Sequence, residues 1–294
     1  MKIFFVIILL LALIPINAFG EDMIKQPNVA GQFYEADPQS LSKQIDFFFA
    51  QADVEPIKEH VAAVMVPHAG YFYSGGVAAY SFKAASAHDY KTIILLGPTH
   101  YYRFDGVSVW PKGGFKTPLG TIQVDEEFVA ALMQAAPSVK PMPQAFERDH
   151  VLEVEMPFIQ KTFKDAKIVP LIMSRDVPME TLKELAGAFD KVIGDRKNVL
   201  IVISSDQSHY HPDEDCRRID KRGLGAAVAM DIDALWEGHH NGVMEIDGFK
   251  EVITALLYAK IRNLKNVKLL KHANSSDVTG DKSRVVGYAA MAIY

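Results

Sequence analysis

Cysteine is almost absent from this 294-residue chain, and Cys216 is the only one. A single thiol excludes an internal disulfide and a cysteine-built zinc cluster. Its position far from the N-terminus also excludes a lipoprotein-type cysteine behind the apolar leader. Positive charge is thin as well: 31 Lys and Arg face 36 Asp and Glu, for a formal net charge of −5 with no Lys/Arg-rich block. The long-range field therefore favours neither nucleic acid nor anionic lipid as a partner. No phosphate-binding Gly loop or dinucleotide fingerprint is present. No polar or low-complexity tract suggests a linker, and no fixed-period repeat divides the chain.

What the N-terminus does contain is a leader pattern. Met1-Lys2 precedes an apolar stretch from Ile3 to Ile16, then the small residues Ala18 and Gly20 and the acidic pair Glu21-Asp22. A short basic start, an apolar core too short to span a bilayer comfortably and small residues before a polar boundary predict a signal peptide over residues 1–20. The expectation is an exported protein, periplasmic or secreted, with its folded domain over residues 21–294. An uncleaved leader would instead anchor it to the membrane.

Three apolar runs organise the rest. Val61–Val66 leads into Pro67-His68, Thr92–Leu96 into Gly97-Pro98-Thr99-His100, and Val199–Ile203 into Ser204-Ser205-Asp206 and His209. Short Val/Ile-rich runs bounded by Pro, Gly or Ser read as buried parallel strands. Segments of helical spacing alternate with them. The first starts at Asp37; Val77–Ala87 follows a loop through Gly70, Gly75 and Gly76; then come Glu126–Gln134, His150–Phe163, Met179–Ile193, Arg218–Met230 and Gly248–Ile261. Lys167–Ile172 and Val285–Ile293 add strands, and Val107–Trp110 with Thr121–Val124 suggests a β-ribbon or a long excursion. The alternation predicts a single α/β domain with a central, mostly parallel or mixed sheet flanked by helices. In open sheets of this kind the ligand crevice lies beyond the carboxyl ends of the strands.

Repetition of one local design, strand then stiff turn then His, singles out His68 and His100 as candidates for metal or substrate contact. Pro67 and Pro98 restrict the two turns, and Ala69-Gly70 leaves room beside His68. Asp206 and His209 are three apart, so the carboxylate could orient the imidazole and raise its basicity. Ser204, Ser205 and Asp206 could equally cap a following helix. No Gly flanks these serines in a G-x-S-x-G elbow, which disfavours a serine hydrolase. His211 is expected to face solvent. His150 and Glu153 would share one face of a helix, as pocket wall or as a helix-start ion pair.

Taken in order, Val29-Ala30-Gly31-Gln32-Phe33-Tyr34, Val66 through Gly75, Leu96-Gly97-Pro98-Thr99-His100, His150 to Phe158 and Ser204 to Tyr210 resemble the MEMO family. Its bacterial members are called AmmeMemoRadiSam system protein B. The likeness runs from Asn28 to the C-terminus. That family is similar in fold to the class III extradiol dioxygenases, which hold non-haem Fe(II) with two histidines and a carboxylate. The resemblance implies that His68 and His100 are the metal histidines, that His209 is the acid/base residue with Asp206 beside it, and that Tyr210 belongs to the pocket. Family members often carry a Cys-Gly pair as the third ligand position, and Asp247-Gly248 stands there in this chain. Asp247 could otherwise cap the helix that follows. As a ligand it would complete a two-His-one-carboxylate set with open positions, which suits Fe(II), with Zn or Cu as alternatives. Unlike a thiolate, it would not be oxidised.

The leading expectation is a metal-dependent oxidoreductase acting on a small aromatic or enol-type molecule. A non-catalytic metal- or ligand-binding protein and a Zn²⁺ hydrolase using the same triad are the alternatives. The sequence names no protein partner.

Overall fold

The computed structural model describes residues 23–294, so the proposed leader at residues 1–20 lies outside the described residues. The chain begins with β1 (Ile24–Lys25), α1 (Pro38–Gln51), β2 (Ala63–Val66), α2 (Tyr71–Ala85), β3 (Thr92–Pro98) and β4 (Val107–Val109). It continues through β5 (Gly114–Thr117), β6 (Gly120–Gln123), α3 (Glu126–Ala135), β7 (Val139–Pro141), α4 (Met156–Thr162), β8 (Lys167–Met173) and α5 (Met179–Ile193). Then follow β9 (Val199–Ser204), β10 (His209–His211), α6 (Asp213–Val228), α7 (Ile232–His240) and α8 (Phe249–Ile261). The chain closes with β11 (Val267–Asn274), α9 (Ser276–Thr279) and β12 (Val285–Ile293).

One mixed sheet runs β10-β12-β2-β9-β3-β8-β4-β7, with β11 also paired to β12. Its centre, β2-β9-β3-β8, is all parallel. These strands are buried on both faces, which is why they read as continuous apolar runs rather than alternating ones. Helices α2 and α8 pack on this sheet, α2 against β12 and α8 against β9. Asp37, Asp125 and Asp231 start α1, α3 and α7 by accepting the backbone N–H three residues on. The expected single α/β domain with a mixed central sheet is what is found. Among the described residues no helix is long and apolar enough to cross a membrane.

Four local expectations are corrected. Helix α2 begins at Tyr71, so Gly75 and Gly76 lie inside it rather than in a loop. Gly75 is there because α1 comes close: a Cβ would stand 2.4 Å from a Phe48 ring carbon. Residues 151–155 form turns, and the helix starts only at Met156, where Pro157 fits the first turn without losing a hydrogen bond. Val107–Val109 pairs with β8 in the main sheet, while Gly120–Gln123 pairs with β5 in a separate three-stranded sheet, so the two do not form a ribbon. Ser204 to Asp206 cap no helix, because β10 follows them.

The β10–β12 junction is tightly packed. A Cβ on Gly287 would meet Asp220 Oδ2 at 2.0 Å. Asp220 cannot easily yield, because Oδ1 accepts the Ser208 N–H (3.0 Å) and Oδ2 meets His272 Nε2 (2.8 Å). Gly287→Ala is therefore predicted to cost about 1–3 kcal/mol, the scale of overpacking. Urea denaturation measures it; an unchanged midpoint would contradict this packing.

Candidate metal centre

Adjacent parallel strands deliver the polar residues to one place. Val66 lies opposite Ser204 in the β2–β9 pairing, and Leu96 lies opposite Ile203 in β3–β9. The chain just beyond these residues therefore brings His68, Asp206 and His100 together. Asp247 arrives from elsewhere and is pinned to the same edge: its N–H donates to Asp206 O (3.1 Å), and the Gly248 N–H donates to Ser205 Oγ (2.9 Å). A Cβ on residue 248 would lie 2.9 Å from Ser205 Cβ, so this approach requires glycine. Gly248, not Asp247, occupies the N-cap of α8, and Asp247 makes no capping bond. The capping alternative for Asp247 is thereby removed.

Asp247 Oδ2 stands 3.1 Å from His68 Nε2 and 3.4 Å from His100 Nε2. The atom is buried, and no hydrogen bond satisfies it. Donors each about 2.1 Å from one ion stand about 3.0 Å apart at right angles and about 3.4 Å apart at the tetrahedral angle. The spacing is that of ligands around a common cation, and the residues fit a divalent ion.

The far side of each ring is arranged to suit. His100 Nδ1 is 3.2 Å from Asp149 Oδ1, and its backbone N–H donates to Asp149 Oδ2 (2.7 Å). Ser204 Oγ lies 2.6 Å from Val151 O, 2.9 Å from His68 Nδ1 and 3.1 Å from Glu155 Oε1. Its single proton goes to Val151 O, which can only accept. Ser204 therefore accepts from His68 Nδ1–H, and it also lies beside Glu155, whose carboxyl burial pushes well above its ordinary value. Both histidines thus carry their proton on Nδ1 and turn Nε2 toward Asp247, the tautomer a ligand needs.

Charge at the centre is balanced by protons when no ion is bound. Burial opposes the charge on His100, but Asp149 and Asp247 outweigh it and hold the imidazole at about 10. Burial also opposes the charge on His68, and Asp206 and Asp247 raise it. Burial would raise Asp247, but the two imidazoles hold its carboxyl far below the usual range. His150 behaves oppositely: burial, His68 and His100 push it down to about 4. It stacks on His100 with ring centres 5.1 Å apart. His68, His100 and His150 offer ligand atoms within 4.8 Å of one another, so this histidine cluster could also hold a metal ion.

Other predicted site residues fall differently. His209 lines the pocket, but its Nδ1–H goes to Gln207 O (2.8 Å), not to Asp206. Asp206 Oδ1 instead accepts the His68 N–H (2.9 Å). Glu153 is no pocket wall: it accepts from Asn28 N (2.6 Å), Val29 N (2.9 Å) and Tyr34 Oη (2.7 Å), anchoring the N-terminal segment. His211 is half-buried rather than solvent-facing and pairs with Glu245 (2.8 Å). Tyr210 is at the pocket rim, 62% exposed. Sequence reasoning missed Asp149, Ser204 and Glu155 as supports, and Phe33, Tyr73 and Arg284 as walls. Only Asp149, adjacent to His150, carried a local signal.

The Memo-like protein family matches residues 25–292. This chain belongs to that family. A MEMO1 family protein of Sulfurisphaera tokodaii is 37% identical over 286 residues, covering 92% of this chain and 99% of that protein. One from Caldivirga maquilingensis is 33% identical over 279 residues, again covering 92% and 99%. An uncharacterized Escherichia coli K12 protein of known structure aligns at 11% identity and a TM-score of 0.48, over 80% of this chain and all of that one. That likeness is too loose to bear on the site.

Metal uptake must expel the proton that His100 holds at about 10, and the neighbouring His68 imidazole is likewise raised from its ordinary value. Calorimetry in two buffers of different ionisation enthalpy is predicted to show proton release at neutral pH. Affinity should rise from about pH 6 to about pH 9. Ser204→Ala should weaken binding by about 10–100-fold. A pH-independent affinity would contradict the proton balance, and full affinity in the variant would contradict the role of Ser204.

Proposed function

We propose that this pocket binds a divalent ion through His68, His100 and Asp247, Fe(II) being favoured, and that the protein is a metal-dependent oxidoreductase acting on a small aromatic or enol-type substrate. The observation that carries the reading is the buried Asp247 Oδ2, left without a hydrogen bond between two Nε2 atoms. Two histidines and one carboxylate leave positions open for other ligands. When bound, such an ion supplies Lewis acidity to an oxygen-bearing substrate and, if iron, redox chemistry with O₂.

The chain's own residues handle the proton. Because Gln207 O holds His209 Nδ1–H, Nε2 is left free on the pocket side chain to accept a proton from a phenol or enol hydroxyl. Asp206 is buried and interacts with His68 and His209 through charge. It would stabilise the imidazolium that His209 becomes, while its hydrogen bond holds the backbone of His68. His150, pushed to about 4, remains neutral and adds no charge to the pocket. Export of the domain behind a leader over residues 1–20 belongs to the same proposal, from the sequence pattern alone.

Protein loaded anaerobically with Fe(II) is predicted to consume O₂ when given catechols. His209→Ala should keep the iron and lower turnover by about 10²–10⁴-fold, the usual contribution of a general base. Iron bound with no oxygen uptake would overturn the oxidoreductase reading in favour of a binding protein.

A further inference from the structure

The mouth of the pocket contains a backbone irregularity. In the β10–β12 pairing His209 lies opposite Val286 and His211 opposite Val285, which leaves Tyr210 as an extra, unpaired residue. Tyr210 adopts φ 64°, a left-handed conformation rarely taken by residues other than glycine. Bulges of this kind re-aim side chains. This one leaves His209 lining the pocket and Tyr210 exposed at its rim.

Tyr210 carries a cation. Arg284, immediately before Val285, lies with Cζ 5.2 Å from the centre of the Tyr210 ring. Arg284 is the single Lys or Arg among the side chains lining the cavity. Elsewhere on the surface Arg217, Arg218 and Arg262 each pair with an aspartate. Among the described residues no carboxylate pairs with Arg284. Asp281, also on the lining, directs Oδ1 to the N–H and hydroxyl of Ser283 instead. The ring covers one face of the guanidinium and leaves its N–H edges unused, and those edges match a carboxylate bidentately.

The cavity is large enough for a ligand to use both ends. Its volume is about 830 Å³, which exceeds what an ion and a diatomic gas require. Phe33, Tyr73, Tyr101 and Tyr288 add aromatic lining to the same cavity.

We propose that Arg284, seated on Tyr210, is the anion-recognising residue of this pocket, and that the substrate is a small planar organic acid. Its hydroxyl-bearing end lies at His68, His100 and Asp247, and its carboxylate lies at Arg284. This rests on the oxidoreductase reading of the same site and adds the substrate class. Tyr210 acts as a positioning residue, since its ring restrains the guanidinium without being required to touch the acid.

The test compares two probes, catechol and 3,4-dihydroxyphenylacetate, titrated anaerobically into Fe(II)-loaded wild type, Arg284→Gln and Arg284→Lys, with bound iron measured in each. The wild type should bind the acid about tenfold more tightly than catechol, the scale of one hydrogen bond to a charged group. Arg284→Gln should lose that preference at unchanged iron content, and Arg284→Lys should keep part of it. Raising the salt concentration should narrow the preference, because Arg284 is exposed. Equal affinity of the wild type for both probes, or an undiminished preference in Arg284→Gln, overturns the proposal. Binding of the acid through Arg284 in protein that takes up no iron would support the anion subsite and defeat the metal reading. Binding of neither probe by iron-loaded wild type overturns the subsite.

Discussion

The carboxyl end of β9 is the fixed point from which the pocket is built. Ser204 takes the Nδ1–H of His68, Ser205 takes the N–H of Gly248, and Asp206 takes the N–H of His68 while offering its carbonyl to Asp247. Three consecutive residues thus bind the segments that contribute two of the three proposed ligands. The parallel pairing of β3 with β9 brings the third, His100, alongside. None of these bonds involves the Nε2 or Oδ2 atoms that face one another. Rigidity is supplied from behind, and the converging atoms have only one another.

That division explains an electrostatic arrangement that would otherwise be costly. Buried charges destabilise a fold unless paired, and an unsatisfied carboxylate oxygen is expensive to keep. Asp247 tolerates its position because two imidazoles supply positive charge beside it. Two neighbours limit the charge that accumulates: burial raises the Glu155 carboxyl, and burial with the two imidazoles pushes His150 down to about 4. On the proposed reading a divalent cation takes the place of imidazole protons without disturbing the groups that position the ligands.

Much of this was legible in the sequence, for a physical reason. Parallel strands buried on both faces produce apolar runs that stop abruptly, so the ends carrying His68, His100 and Asp206 stood out. Asp247 had no such signal and was reached through resemblance alone. The supports were invisible because they act across long stretches of chain: Ser204 lies 136 residues from His68, and Asp149 lies 49 from His100. The misplacement of Glu153 followed from extending a helical pattern through residues 151–155. There the turn instead offers the Val151 carbonyl to Ser204 and the Val154 carbonyl to Tyr71. Tyr210 was expected in the pocket, but its bulge escaped because nothing about a tyrosine between two histidines foretells one. Strand β11 was missed for its lysines and its half-buried pattern, typical of a sheet edge.

Anomalous diffraction from crystals of the metal-loaded protein, collected at the absorption edge of the bound ion, tests the central claim most directly. The account predicts one peak about 2.1 Å from His68 Nε2, His100 Nε2 and Asp247 Oδ2, with His150 outside bonding distance. No peak at this position, or a peak bound by the three histidines with Asp247 turned away, would contradict it.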